Sequence, residues 1–213
     1  MSVRVAVVDD QSLVRSAFAA LIGAQQDMDC VGEAADGVDG VALAAGADIV
    51  LMDIRMPRKD GIEATREIKQ KCPARVLILT TFREEDLVLR AIEAGADGFL
   101  LKDSDPQTLL GAIRSLAAGE GFLDPAVTPL VLRAFNRRPA SETSTAPAPT
   151  PGFTRREAEI LELLRVGKSN RDIAKALVIA ETTVKTHVAN MLDKTGCRNR
   201  VELAVYTGES PED

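Results

Sequence analysis

The sequence predicts a doubly wound α/β domain on a five-stranded parallel sheet, followed by a smaller all-α domain of four helices. Three observations predict it. Strand-like and helix-like segments alternate five times in the first part of the chain, the pattern of a parallel sheet with helices on both faces. The runs around Ile49–Met52 and Arg75–Thr80 are almost continuously apolar, as strands covered on both faces are. After Gly152 the pattern changes to short amphipathic helices separated by turns.

Arg4 to Val8 reads as the first strand, ending at Asp9 and Asp10. Leu13, Val14, Ala17, Phe18, Leu21 and Ile22 then recur at helical spacing. Cys30 to Ala34 is a short second strand, and Val38 to Ala45 a short helix closed by Gly46. The third strand, Ile49 to Met52, runs straight into Asp53. Pro57 and Asp60-Gly61 mark a loop and a helix start, and the helix Ile62–Lys71 stops at Cys72-Pro73. Arg75 to Thr80 is the fourth strand, and Leu87 to Ala94 lies in a helix closed by Gly95. Gly98 to Leu101 is the fifth strand, ending at Lys102. Asp105 caps a last helix through Ala118, with Pro106 at its first position. The flavodoxin-like strand order 2-1-3-4-5 suits this run.

Composition narrows the function. The 213 residues are enough for one or two domains, and 46% hydrophobic content supplies their cores. No apolar run approaches a membrane span. Met1-Ser2-Val3-Arg4 leads directly into strand pattern with no visible signal peptide, so a cytoplasmic protein is expected. Cys30, Cys72 and Cys197 form no CxxC pair and read as reduced thiols. His187 is the only histidine, which leaves little room for a histidine metal site or triad. Charge is uneven. Residues 1–125 carry 13 Lys/Arg against 21 Asp/Glu, and residues 165–200 carry 8 against 3. An acidic front and a basic back suggest two domains with different partners.

The strand ends carry the chemistry. Strand one ends in Asp9 and Asp10, strand three in Asp53, strand four in Thr80 and Thr81, and strand five in Lys102. Ligands of open α/β sheets bind at that edge. A lone strand-end Asp is common and needs no function, but three carboxylates together repel unless a cation neutralises them. A hard divalent ion with oxygen ligands, Mg2+ above all, meets that demand. Lys102 then holds a second anion such as a phosphoryl group. Asp53 is the candidate nucleophile for an acyl phosphate, with Thr80 and Lys102 stabilising the transferred charge.

Val7-Val8-Asp9-Asp10, Leu51-Met52-Asp53-Ile54-Arg55-Met56-Pro57, Leu79-Thr80-Thr81 and Leu100-Leu101-Lys102-Asp103 resemble the receiver domain of bacterial response regulators. The resemblance implies that Asp53 is phosphorylated by a sensor histidine kinase. It implies a Mg2+ ion ligated by Asp10, Asp53 and the backbone carbonyl of Arg55, with Asp9 beside it. Thr80 and Lys102 would engage the phosphoryl group. Phe99 falls at the family's aromatic switch position, where a ring turns inward as Thr80 moves; a plain core Phe is the competing reading. Haloacid-dehalogenase-type phosphatases also use a strand-end Asp, but with a second Asp two residues on as general acid. Arg55 stands there and cannot give up that proton. No enzyme is therefore expected beyond self-phosphotransfer and autodephosphorylation. Arg55 and Phe82 are expected to flank the phosphoryl site and restrict attacking water.

Asp124 to Arg138 carries Val127, Leu130, Val131, Leu132 and Phe135 at roughly helical spacing. Pro139 to Gly152 follows, 14 residues with four prolines. Such a semi-extended linker reaches roughly 40 Å at about 3.1 Å per residue. The expected division is a receiver over 1–122, a linker over 123–151, and a second domain over 152–213.

In that second domain, Thr154-Arg155-Arg156-Glu157 is a capping box ahead of Ile160, Leu161, Leu163 and Leu164. Ser169 to Asp172 opens a helix with Ile173, Ala174 and Leu177 as its apolar face. Val178-Ile179-Ala180 is a turn, and Glu181 to Thr195 a longer helix burying Val184, Val188, Met191 and Leu192. Asn199 to Tyr206 is a fourth helix. Two short helices, a tight turn and a longer helix suggest helix-turn-helix. The longer helix leaves Thr183, Lys185, Thr186, His187, Asn190 and Lys194 outside its apolar set. A polar face is most often simply solvated, but the basic surroundings and hydrogen-bonding side chains suit the major groove.

Thr154 to Leu161, Gly167 to Ala174 and Thr183 to Leu192 resemble the LuxR-type helix-turn-helix, and the whole chain resembles the NarL/FixJ-type regulators. The resemblance places Lys185 and Thr186 near base edges and Ser169, Asn170, Thr183 and His187 mostly on phosphates. Ala180 stands where many relatives carry a capping Ser or Thr, leaving Glu181 or Thr182 to cap the helix. The function expected is a phosphorylation-dependent transcriptional regulator that binds double-stranded promoter DNA. Phosphorylation is expected to favour a homodimer, through receiver helices or through Val201, Ala204 and Val205, or to release the second domain from the receiver; ordinary core packing is the competing reading of those three apolar residues. A Mg2+-dependent phosphohydrolase and a receiver that sequesters a protein are the alternatives.

Overall fold

Every residue of the strand Ile49–Asp53 is buried, as are Val5–Val8 and Val76–Thr80 of its two neighbours. Their apolar runs therefore serve two cores. In the computed structural model, which describes residues 2–81, 85–131 and 152–206, the first domain has strands β1 (Val3–Val8), β2 (Met28–Ala34), β3 (Ile49–Asp53), β4 (Arg75–Thr80) and β5 (Gly98–Leu101). They alternate with helices α1 (Ser12–Gly23), α2 (Gly37–Ala44), α3 (Gly61–Lys71), α4 (Glu85–Glu93) and α5 (Pro106–Ala117). All pairings are parallel, in the order β2-β1-β3-β4-β5.

The pleat divides the side chains. Ala6, Val8, Val50, Met52, Ile78 and Phe99 point to the layer of α2, α3 and α4. Val5, Val7, Ile49, Leu51, Leu79 and Leu100 point to α1 and α5. Asp105 caps α5 as its position foretold, and Asp60, expected at a helix start, caps α3. The apolar stripe expected on α1 is only partly used: Ile22 is fully buried, but Leu13, in the first turn, stays 83% exposed.

A sixth strand corrects the five-stranded expectation. Gly119 and Gly121, both at positive φ, turn the chain so that β6 (Phe122–Leu123) lies parallel beside β5. Two residues are too few for any periodicity to announce. The expected domain break after residue 122 thus falls inside a strand. Val127, Leu130 and Val131 pack into the same core as Phe99. Leu132, Phe135, the proline-rich stretch to Pro151 and Phe82 lie outside the described residues.

The second domain has helices α6 (Arg155–Arg165), α7 (Asn170–Leu177), α8 (Glu181–Thr195) and α9 (Arg200–Val205). Both halves of the capping box at α6 form. The box is reinforced from α8, where Lys194 Nζ donates to both Glu157 carboxylate oxygens at 2.8 and 2.7 Å. Lys194 therefore serves the fold rather than the outer face of α8. The turn between α7 and α8 passes through Val178 at φ 54°. Helix α8 starts at Ala180 without a side-chain cap, so neither Glu181 nor Thr182 takes the vacant role.

The domains touch. Val201 and Val205 of α9 are buried in the receiver-side core with Leu123 and Val127, while Leu203 belongs to the core of its own helical domain.

Candidate functional site

Parallel strands bring their carboxyl ends to one edge, and the loops leaving β1, β3, β4 and β5 meet there. Asp9 is fully buried, Asp53 is 6% exposed, and Asp10 is on the surface. One carboxylate oxygen from each lies within 4.8 Å of the others. Lys102 Nζ sits 2.8 Å from both Asp9 Oδ2 and Asp53 Oδ2. Thr80, Thr81, Arg55, Gln11 and Leu87 line the same cleft. Sequence reasoning placed Asp9, Asp10, Asp53, Thr80, Arg55 and Lys102 on one edge; in the structure five of them line one cleft, and Asp9 is buried beside it against Lys102.

Local chemistry fixes this geometry. The Ile54 amide donates to Asp53 Oδ1 at 2.8 Å, which orients the carboxylate. Gly61 donates to the Ile54 carbonyl at 2.9 Å; a Cβ at Gly61 would stand 1.9 Å from the Asp53 carbonyl oxygen, so no other residue fits. Gln11 donates to Asp9 Oδ1 at 2.9 Å, and Arg15 Nη1 to the Asp9 carbonyl at 2.7 Å. Asp9 Oδ2, fully buried, has the Lys102 ammonium as its charged partner.

One ammonium thus faces three carboxylates, two of them buried. Burial pushes the Asp53 carboxyl above its usual range; the Lys102 contact opposes this, and the Asp9 charge adds to it. Burial works against the Lys102 ammonium, but its contacts with Asp53 and Asp9 outweigh that and raise its pKa. Three carboxylates whose oxygens lie within 4.8 Å of one another form an all-oxygen donor set that fits a divalent cation.

Phe99 is 0% exposed and packed with the α2–α4 layer. The inward turn expected of it finds the ring already inside, where an aromatic without a hydroxyl has most to gain from burial.

On the second domain, Thr183, Lys185, Thr186 and Asn190 are exposed along α8, with His187 half-buried beside them. Ser169 caps α7. Asn170 departs from the group: it is 2% exposed, and its Oδ1 accepts from Arg200 Nη1 at 2.7 Å, so its side chain holds the α6–α7 loop instead. Lys185 is occupied by the receiver, its Nζ lying 2.7 Å from Glu120 Oε1.

That contact belongs to an interface which sequence reasoning missed. Asn199 caps α9 with its Oδ1 and donates from its Nδ2 to the Ala96 carbonyl, in the loop between α4 and β5, at 3.1 Å. Arg200, 7% exposed, donates to the Lys168 carbonyl and has its pKa pushed down to about 10 by burial, against the charge of Glu120. A Cβ at Gly121 would stand 3.0 Å from the Cβ of Arg200, so a side chain there would crowd this contact. Nothing in the sequence ties Glu120 to a lysine 65 positions later; only the folded contact does.

Comparison with known proteins agrees with both halves. Residues 5–114 match the response regulator receiver domain, and residues 151–207 match the luxR family of bacterial regulatory proteins. The transcriptional regulatory protein YxjL of Bacillus subtilis is 42% identical over 208 residues, covering 96% of this chain and 94% of the relative. The transcriptional regulatory protein LiaR of the same organism is 40% identical, covering 96% of each. Among solved structures, the response regulator ChrA of a heme-sensing two-component system is 36% identical with a TM-score of 0.55, covering 95% of this chain and 94% of that one.

Proposed function

The chain belongs to the bacterial response regulators that join a receiver domain to a LuxR-type DNA-binding domain, and from that premise we propose that Asp53 is its phosphoacceptor and that phosphorylation frees Lys185 for DNA. It is a transcriptional response regulator by kinship; the residues and the switch are our reading. The single observation that carries it is the convergence of Asp9, Asp10, Asp53 and Lys102 at one cleft.

In this reading an Asp53 oxygen attacks the phosphorus of a phosphohistidine on a sensor kinase. The new O–P bond forms as the N–P bond breaks, and the imidazole leaves with its electron pair. Lys102 and the Thr80 hydroxyl meet the charge on the transferred oxygens. Asp10, Asp53 and the Arg55 carbonyl, with Asp9 beside them, would hold Mg2+, whose positive charge offsets that of the phosphoryl group. Lys102, shared between two carboxylates, turns toward the phosphoryl oxygens once Asp53 carries the acyl phosphate.

Glu120 holding Lys185 and the receiver covering α9 make this arrangement unfavourable for DNA binding. Opening releases Lys185 from Glu120 and lets it enter the major groove with its exposed neighbours Thr183, Thr186 and Asn190 and the half-buried His187. It also exposes Val201 and Val205, through which two copies pair on adjacent half-sites. Ser169 adds a phosphate contact.

The test is incubation with a small phosphoramidate and Mg2+, followed by peptide mass mapping. The expected result is at most one phosphoryl group per chain, on Asp53, and none in Asp53→Ala. Steady turnover of a phosphate ester by the wild-type chain would favour the phosphohydrolase reading instead.

A further inference from the structure

The loop between β3 and α3 carries Arg55 and contains the one described residue without a glycine's freedom, apart from Val178, that stands at positive φ: Arg58, at 63°. An L residue pays for that conformation through the clash of its Cβ with the following carbonyl. Arg58 is held there by its side chain. Its Nε donates to Asp36 Oδ2 at 2.7 Å, its Nη2 reaches the same oxygen, and Nη2 also donates to Asp39 Oδ2 at 2.6 Å. Asp36 is fixed in turn. It is 4% exposed, and its Oδ1 caps α2 by accepting from the Val38 and Asp39 amides at 2.9 and 3.2 Å. A backbone bond from the Gly37 amide to the Lys59 carbonyl, 3.1 Å, runs beside it.

The loop is therefore anchored at both ends of a short span. Gly61 holds Ile54, and Asp36 with Asp39 holds Arg58. Only Arg55, Met56 and Pro57 lie between. We infer that Arg58, clamped by Asp36 and Asp39, is a positioning residue that fixes the Arg55 carbonyl for Mg2+. The inference rests on the metal site proposed above. It extends that site to α2, whose residues do not touch the cleft.

Charge and positioning make opposite forecasts for Arg58→Gly. Removing a cation from the neighbourhood of an acidic cleft strengthens Mg2+ binding if only long-range charge matters. Losing a residue that orients a ligand weakens it, by about tenfold for outer partners of metal ligands. Glycine also accepts the positive φ, so the backbone itself is not strained by the change. Asp36→Asn breaks the clamp from the other side while keeping a good α2 cap.

The experiment is calorimetric titration of the full chain with Mg2+ alone, with thermal unfolding measured in its absence. We expect Arg58→Gly and Asp36→Asn each to weaken Mg2+ binding about tenfold, and the double variant to be no weaker than either, because both break one clamp. Mg2+-free unfolding midpoints close to wild type identify the loss as one of positioning. Equal or tighter binding by Arg58→Gly, with Asp10→Ala weakened, overturns the clamp alone. Unchanged binding by Asp10→Ala overturns the metal site and the clamp with it.

Discussion

Replacing Asn199 by Asp should open the molecule without harming the domain that binds DNA. The Asn199 Oδ1 accepts from the Val201 and Glu202 amides, both at 3.0 Å, and a carboxylate caps a helix about as well as an amide. The Nδ2 donor is what the change removes, and with it the 3.1 Å bond to the Ala96 carbonyl. Losing a hydrogen bond costs about 0.5–1.5 kcal/mol, and a carboxylate oxygen facing a carbonyl in a half-buried place adds to that. A total of about 2 kcal/mol shifts the closed–open equilibrium roughly thirtyfold. Apparent affinity scales with the fraction of open molecules, so unphosphorylated Asn199→Asp should bind DNA up to roughly thirtyfold more tightly. The added negative charge works against DNA binding, so a gain cannot come from charge. The assay is titration, at one fixed salt concentration, of a duplex enriched from a random pool, with small-angle scattering on the free protein. An unchanged affinity with an unchanged radius of gyration would refute the idea that Asn199 helps hold the domains together.

Three further outcomes follow from the same contacts. Glu120→Gln removes the receiver's hold on Lys185, leaving it only Glu181 of its own helix, 3.5 Å away; DNA affinity of the unphosphorylated chain should rise a few-fold, and less so at high salt. Ala180→Ser supplies the missing cap of α8 and should stabilise the helical domain by about 1 kcal/mol in urea unfolding; no change would mean the α8 start is satisfied in another way. Burial works against the charged form of Glu157, but Lys194 and Thr154 outweigh it and hold the carboxyl below its ordinary 4.5. A depressed folded pKa gives stability that is present above that value and lost as pH falls through the folded one. The stability gap between wild type and Glu157→Gln should therefore be full at neutral pH and shrink below about 4.5 in pH-dependent unfolding.

Much of this was legible beforehand, for identifiable reasons. Runs such as Ile49–Met52 are buried on both faces, and the acids and the lysine at their ends share one edge because parallel strands run one way. Caps at Asp105 and Thr154, and the helix starts at Asp60 and Ser169, are local, so residue type and spacing gave them away. What escaped was non-local or too short to be periodic. β6 has two residues, and its pairing depends on glycine turns rather than on pattern. Asn170 looked like a surface amide, but Arg200 reaches it from 30 positions away. The apolar face of α9 was visible, yet only folding shows that Val201 and Val205 face the receiver. Arg58 drew no reading, because its partners Asp36 and Asp39 lie 22 and 19 positions away at the start of α2.

The most direct measurement is the DNA affinity of the full chain with and without beryllofluoride, a phosphoryl mimic, in the presence of Mg2+, for wild type and Asp53→Ala side by side. A rise in wild type alone is the result expected if filling the cleft releases Lys185 from Glu120. Equal affinities in wild type under both conditions, or the same rise in Asp53→Ala, would contradict it.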